Sequence, residues 1–313
     1  MAKIGEQPSH QWHRAGVGGR VAVVTDSVAQ VQPWVASDLN ITVVPMKLIL
    51  GDQEYRDGID IALPDLYRRM REEKVLPRTS SPSAGDYLDT FSRLLQDAAE
   101  AIVCLTPSSR LTMAFNAASL AAEMARDAFP GKQVEVVDTR IAACAQGFVA
   151  QQAAQAAAAG AAPEQVVASA HAARQRVGLV GTLDTLEYLV RGGRVSLAAG
   201  LLGSLLQVKP LLTIQSDGTA TCIARRRTTQ AALQYMIEYV ADRTRGCSAL
   251  QLAVMQADAP QEALQLKHLA LQSWPTAEVV VTDFTPVMAG HTGPGLVGLA
   301  FYYEKEAISK PAQ

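Results

Sequence analysis

The strongest constraint on this chain is a set of apolar segments that hardly alternate. VAVVTD (21–26), ITVVP (41–45), AIVCLT (101–106) and VEVVDT (134–139) are rich in valine and isoleucine, and each ends in polar residues or proline. A strand with one wet face alternates polar and apolar residues, whereas one covered on both faces does not. Among these runs lie DYLDTFSRLLQDAAE (86–100) and LTMAFNAASLAAEMARDAF (111–129), with apolar residues at helical spacing. Buried strands alternating with helices predict a doubly wound parallel α/β sheet. MKLILGDQEYRDG (46–58) reads as an extended segment turning at Gly51-Asp52.

The second half has a different pattern. Residues 149–174 are mostly alanine, glutamine and other small residues, broken at Gly160 and Pro163, which fits two short helices with Pro163 in the first turn of the second. Beyond them come VGLVGTL (177–183), a hairpin KPLLTIQSDGTATCIARRR (209–227) turning at Asp217-Gly218, ALQLAVMQAD (249–258), AEVVVTDF (277–284) and a closing strand LVGLAFYYE (296–304). A hairpin and few helices predict a mixed sheet. At 313 residues the chain can form two domains with separate cores. The expected layout is a flexible tail at 1–18, an N-terminal α/β domain at 19–175, a smaller C-terminal mixed α/β domain at 176–307 and a tail at 308–313.

Several functions are disfavoured. Gly293, Gly295 and Gly298 match G-x-G-x-x-G, but a strand rather than a helix follows them, so no helix N-terminus would meet a dinucleotide pyrophosphate. There is no G-x-S-x-G elbow, Walker-type phosphate loop or H-E-x-x-H. A net charge of −2 gives no sign of a nucleic-acid surface. No apolar run approaches the ~18 residues of a membrane span, so no stable membrane insertion is expected. The first twenty residues lack the apolar stretch of a secretion leader. His10 and His13 there read as part of a loose tail rather than a metal clip, and His171 as a surface or packing residue. The scattered Cys104, Cys144, Cys222 and Cys247 read as free thiols in a reducing cytoplasm.

What remains is a set of hydroxyls at the strand ends: Thr25-Asp26-Ser27, Thr106-Pro107-Ser108-Ser109, Asp138-Thr139, and the cluster RTSSPSAGDY (78–87) opening a helix. In that cluster Ser81 can cap ahead of Pro82, or Ser83 can form a capping box with Asp86. Each hydroxyl alone reads as a helix cap. Gathered at the carboxyl edge of one sheet, they also suit a ligand. His291, beside Thr292 and Gly293 in a glycine-rich loop, adds an imidazole. Hydroxyls with one histidine make a neutral hydrogen-bonding cup, better suited to holding a carboxylate than to activating water.

These residues carry a resemblance. VTDS (24–27), TSSPS (79–83), SSRLTMAF (108–115), VVDT (136–139), LEYLVRGGRVS (186–196), VKPLL (208–212), RRRT (225–228) and GHTGPGLVG (290–298) occur in the order of the DegV family of bacterial fatty-acid-binding proteins, which the chain resembles from Arg20 to Tyr303. The resemblance implies two α/β domains enclosing a long-chain fatty acid. It also implies presentation of the carboxylate to a separate ATP-binding fatty acid kinase subunit. Carried over by motif, Thr79, Thr112 and His291 contact the carboxylate, Arg194 lies near the head group and Arg227 takes part in kinase docking. Ser108, Ser109, Thr292 and Gly293 complete the candidate ligand-binding set, with no catalytic residue, metal or cofactor beyond the lipid. Two departures stand out. The family's L-S-G-T reads L-T-M-A, placing Met113 and Ala114 where glycine and a hydroxyl are usual, and Gln256 stands where many relatives have histidine.

A sixteen-carbon tail at about 0.8 kcal/mol per buried CH₂ exceeds ~10 kcal/mol before ordering costs. It spans about 20 Å, which calls for a slot between domains. The buried carboxylate then needs donors. Two other readings remain: a lipid acyl hydrolase or transferase with Ser108 or Thr112 as nucleophile and His291 as base, and a stand-alone lipid carrier or sensor.

Overall fold

The structure is a computed structural model that describes residues 21–73, 75–194 and 208–305. The two expected tails, with His10 and His13, and the Val195-Ser196 end of LEYLVRGGRVS lie outside the described residues.

The first layer follows from the unbroken runs. In chain order the elements are β1 (Val21–Asp26), α1 (Pro33–Asp38), β2 (Ile41–Val44), β3 (Lys47–Leu50), β4 (Gln53–Arg56), α2 (Leu63–Glu72), β5 (Arg78–Ser80), α3 (Ala84–Gln96), β6 (Ala101–Thr106), α4 (Ala114–Ala128) and β7 (Gln133–Asp138). Strands β2-β1-β6-β7 form a parallel sheet in that order. Val24, Ile102 and Cys104 face Tyr87, Phe91, Ala118 and Ala121 of α3 and α4. Val23, Val103 and Leu105 point to the opposite face and are equally buried. Neither face is wet, which is why these strands do not alternate.

The segment after β2 forms a separate small sheet. Strands β3 and β4 pair as a hairpin about Gly51-Asp52, and β5 pairs with β3 antiparallel, setting Leu48 opposite Thr79. The TSSPS cluster therefore begins as a strand and only then opens a helix. Of its two possible caps, Ser83 is used: its hydroxyl accepts from the Asp86 amide and the Asp86 side chain accepts from the Ser83 amide.

The remainder comprises α5 (Ala143–Ala158), α6 (Pro163–Arg174), β8 (Val177–Thr182), α7 (Glu187–Arg191), β9 (Lys209–Ile214), β10 (Ala220–Arg226), α8 (Thr229–Arg243), β11 (Cys247–Ala257), α9 (Pro260–Ser273), β12 (Glu278–Asp283), α10 (Pro286–Thr292) and β13 (Leu296–Lys305). A mixed sheet runs β10-β9-β8-β13-β11-β12, with only β11 and β12 parallel. With six strands against four it is the wider of the two main sheets, although the sequence suggested a smaller one. It also carries more helix than expected, since α8 and α9 pack on one face through Leu233, Met236 and Leu266.

Helix α5 joins the halves. It packs against β1 on one side and against β8 and β13 on the other, and Phe148 meets Tyr302 with ring centroids 6.4 Å apart. Alanine dominates α5, and its one glycine, Gly147, lies against backbone. A Cβ on Gly147 would sit 2.5 Å from the Ala29 carbonyl oxygen. Polar links reinforce the junction: Gln30 Nε2 donates to the Asp283 carbonyl at 2.9 Å, Gln32 Nε2 to Thr282 Oγ1 at 2.9 Å, and Arg71 pairs with Asp258.

Candidate functional site

Thr79 and His291, 212 positions apart, meet through two short elements. Pairing of β5 with β3 fixes the Thr79 backbone. Helix α10 packs against α2, β3, β5 and α7, and it brings His291 Nε2 to 2.7 Å from Thr79 Oγ1. His291 thus sits in the last turn of a helix, not in the glycine loop expected from GHTGPG. That helix starts at Pro286 behind the N-cap Thr285, and the loop begins only at Gly293, whose φ of +73° ends it.

The imidazole is neutral at physiological pH. Burial, with the Arg194 guanidinium as a second cause, lowers its pKa from 6.5 to about 4. Such a ring has one N–H. When Nε2 carries it and donates to Thr79, the threonine O–H is left free to donate to a third group. Arg194 is itself held below its usual pKa by burial, and its Nη1 donates to the Gly192 carbonyl.

A cleft of about 530 Å³ opens beside this pair, with Thr79, Ser81, Ser109, Thr112, Met113 and Arg194 among its lining residues. Thr112 Oγ1 accepts from the Ala114 amide at 3.2 Å and Ser81 Oγ from the Met113 amide at 3.1 Å, so both hydroxyl protons remain available. Ser109 is committed differently: its hydroxyl donates to Asp138 at 2.6 Å. Lys47 also lines the cleft, but Glu54 at 3.2 Å and Asp86 at 3.3 Å offset its charge. The arrangement offers hydroxyl donors and a guanidinium to one small anion.

The other candidates lie apart from this cleft. Ser108 is fully buried and donates to the Gly218 carbonyl at 2.8 Å, which ties the β9–β10 turn to the first sheet's edge. Thr292 is buried, and its hydroxyl lies 3.2 Å from the Met288 carbonyl and 3.3 Å from that of Gly293. The Gly293 amide donates to the Ala289 carbonyl, and a Cβ there would collide with the Tyr188 ring. Arg227 is exposed between β10 and Thr228, the N-cap of α8.

The two departures also have clear settings. Met113 is 62% exposed on the cleft rim, while Ala114 is fully buried at the start of α4. Gln256 accepts from the Ala259 amide at 2.7 Å and donates to Asp283, bracing the turn into α9. Among the described residues no carboxylate hydrogen-bonds His291, and Ser108 is engaged elsewhere, so the residues named for acyl hydrolysis do not form a nucleophile–base–acid array. Sequence reasoning missed Lys47, Arg110 and Ser81 as lining residues, though Arg110 and Ser81 lie inside motifs it had singled out.

The model of the DegV family of uncharacterised proteins matches residues 20–304. A DegV domain-containing protein of Streptomyces coelicolor is 34% identical, over 89% of this chain and 97% of its own length. A DegV family protein of Thermus thermophilus, whose structure is described as showing fatty acid binding, superposes with a TM-score of 0.84 at 29% identity, covering 91% of this chain and 99% of that one. DegV of Bacillus subtilis, described as a fatty acid binding protein, gives 0.80 at 27% identity, with the same coverage.

Proposed function

Because the chain belongs to the DegV family, we propose that it holds a long-chain fatty acid between its two domains, the carboxylate seated at Thr79, Thr112 and His291. The observation that carries this reading is the Thr79–His291 hydrogen bond at the cleft, which joins one group from each half of the chain. The neutral imidazole orients Thr79, and the hydroxyls of Thr79 and Thr112 with the Arg194 guanidinium supply the charge-assisted bonds that a buried carboxylate requires. In this reading the tail runs between the halves, whose apolar side chains, from Leu48 through α5 to Leu296, belong to one cluster. The domain boundary falls between residues 175 and 176, just ahead of β8.

The finer reading is that the protein presents its carboxylate to a separate ATP-binding kinase subunit, with exposed Arg227 in the docking surface, and performs no chemistry itself. A cytoplasmic setting agrees with four free cysteines, two of them buried. Among the described residues no helix is long and apolar enough to cross a membrane. Denaturing extraction of the purified protein followed by mass spectrometry is the direct test. A long-chain fatty acid is expected in the extract. The absence of both extracted lipid and binding of added fatty acid by the delipidated protein would overturn the reading.

A further inference from the structure

We propose that Asp57 is a positioning residue: its buried carboxylate fastens the start of α10 to the first domain and thereby sets His291 against Thr79. The proposal rests on the reading of Thr79 and His291 as the carboxylate site.

Asp57 is 3% exposed, and each of its oxygens is engaged. Oδ2 accepts from Ser27 Oγ at 2.6 Å, and Oδ1 accepts from the Val287 amide at 2.8 Å. Burial raises its pKa, opposed only by hydrogen bonds from Ser27, Val287 and Thr285, with no cation among its partners. A second buried acid, Asp26, lies close enough for the two to repel. An acid buried without a cation costs stability. Its setting here indicates what it secures. Val287 is the second residue of α10, where an amide lacks an intrahelical acceptor and the helix end carries partial positive charge.

The other side of Asp57 is fixed to the strand that orders Thr79. Its amide donates to the Met46 carbonyl at 2.8 Å, and the Met46 amide donates to Ser27 Oγ at 3.0 Å. Met46 immediately precedes β3, in which Leu48 is paired with Thr79. The contacts therefore close a ring: Thr79, Leu48, Met46, Asp57, Val287 and, one helical turn on, His291, which returns to Thr79. Only two links of that ring cross from the first domain to α10. One is the His291–Thr79 bond itself. The other is Asp57, so removing it leaves α10 held at this edge by the His291–Thr79 bond and side-chain packing.

The test is a double-mutant cycle on fatty-acid affinity, with the fatty alcohol of the same length as a control that lacks the carboxylate. Asp57→Ala is expected to weaken binding of the acid about tenfold and of the alcohol less than about twofold. In a His291→Ala background the same change should cost less than about twofold. Asp57→Asn keeps an acceptor for the Val287 amide and should stay near wild type. The ¹⁵N shifts of the His291 imidazole at neutral pH report the bond to Thr79 without any ligand, and they should move in Asp57→Ala but not in Asp57→Asn. If Asp57→Ala does not fold, Ser27→Ala, which frees Oδ2, should shift the imidazole signals and the acid-to-alcohol ratio in the same direction. Should His291→Ala leave acid affinity intact, the carboxylate reading itself fails, and the imidazole shifts alone then decide on Asp57. Imidazole shifts unchanged in Asp57→Ala, or an acid-specific loss that persists in the His291→Ala background, would overturn the proposal.

Discussion

A histidine that remains neutral down to about pH 4 cannot attract a carboxylate by charge near neutrality, so its contribution is directional. His291→Ala or Thr79→Val should weaken fatty-acid binding by roughly tenfold or more, the effect of losing a hydrogen bond to a charged group worth about 1.5–3 kcal/mol. Titrations with acid and alcohol check this; equal losses for both ligands would mean that the residues only shape the pocket. Affinity should also stay flat from pH 6 to 8, where an ordinary histidine would change charge. Stability follows the opposite logic at another buried group. Asp26 is fully buried, and burial is the main cause raising its pKa from 3.8 to about 7. Between those values the folded state binds the proton and the unfolded state does not, so stability falls as pH rises through that window. Asp26→Asn keeps an acceptor for the Val28 amide, now at 3.0 Å, without the charge. It should raise the Tm at pH 8, by about 2–4 °C for each kcal/mol recovered, and make little difference at pH 4. Thermal unfolding at the two pH values measures it, and a lower Tm at pH 8 would refute it.

The β9–β10 hairpin shows how an element can change the meaning of a residue. Ser108 belongs to a motif that suggested ligand contact, yet its hydroxyl reaches across to the Gly218 carbonyl at the hairpin turn. Ser108→Ala should therefore cost about 1–3 kcal/mol of stability by leaving a buried carbonyl unpaired, while the ratio of acid to alcohol affinity remains that of the wild type. Denaturant unfolding beside lipid titration separates the two roles, and a lost preference for the acid would return Ser108 to the site. The contrast indicates which features were legible. The parallel strands were readable because burial on both faces leaves an apolar run, and α3 because Ser83 and Asp86 form a recognisable cap. Strand β5 was not, since Arg78–Ser80 is three polar residues whose strand character comes only from pairing with β3. Helix α10 was hidden by the glycines around His291. Asp57 was not singled out, because one of its hydrogen-bond partners, the Val287 amide, lies 230 positions away. Thr79 and His291 could be named individually from their motifs, but their direct hydrogen bond exists only in the fold.

At the scale of the whole molecule, the cleft and the basic strand end are separate surfaces. Thr79, Thr112 and Arg194 line the cleft, whereas Arg227 is exposed at the end of β10 and takes no part in it. A surface arginine that meets a partner's acidic groups mainly raises the association rate and makes it sensitive to salt. Arg227→Ala should thus slow phosphorylation of the bound fatty acid by a supplied kinase subunit, most clearly when that subunit is limiting. Fatty-acid affinity should stay within about twofold of wild type, a change of ~0.4 kcal/mol. Arg194→Ala should affect both measurements, because that side chain lines the cleft and is partly buried beside His291. The isolated protein, with fatty acid bound, should not turn over ATP, since its sequence contains no Walker-type phosphate loop. A coupled assay run with and without the kinase subunit, alongside lipid titrations of both variants, distinguishes these effects. ATP consumption by the chain alone, or undiminished phosphorylation with Arg227→Ala under limiting kinase, would place the docking surface or the chemistry elsewhere.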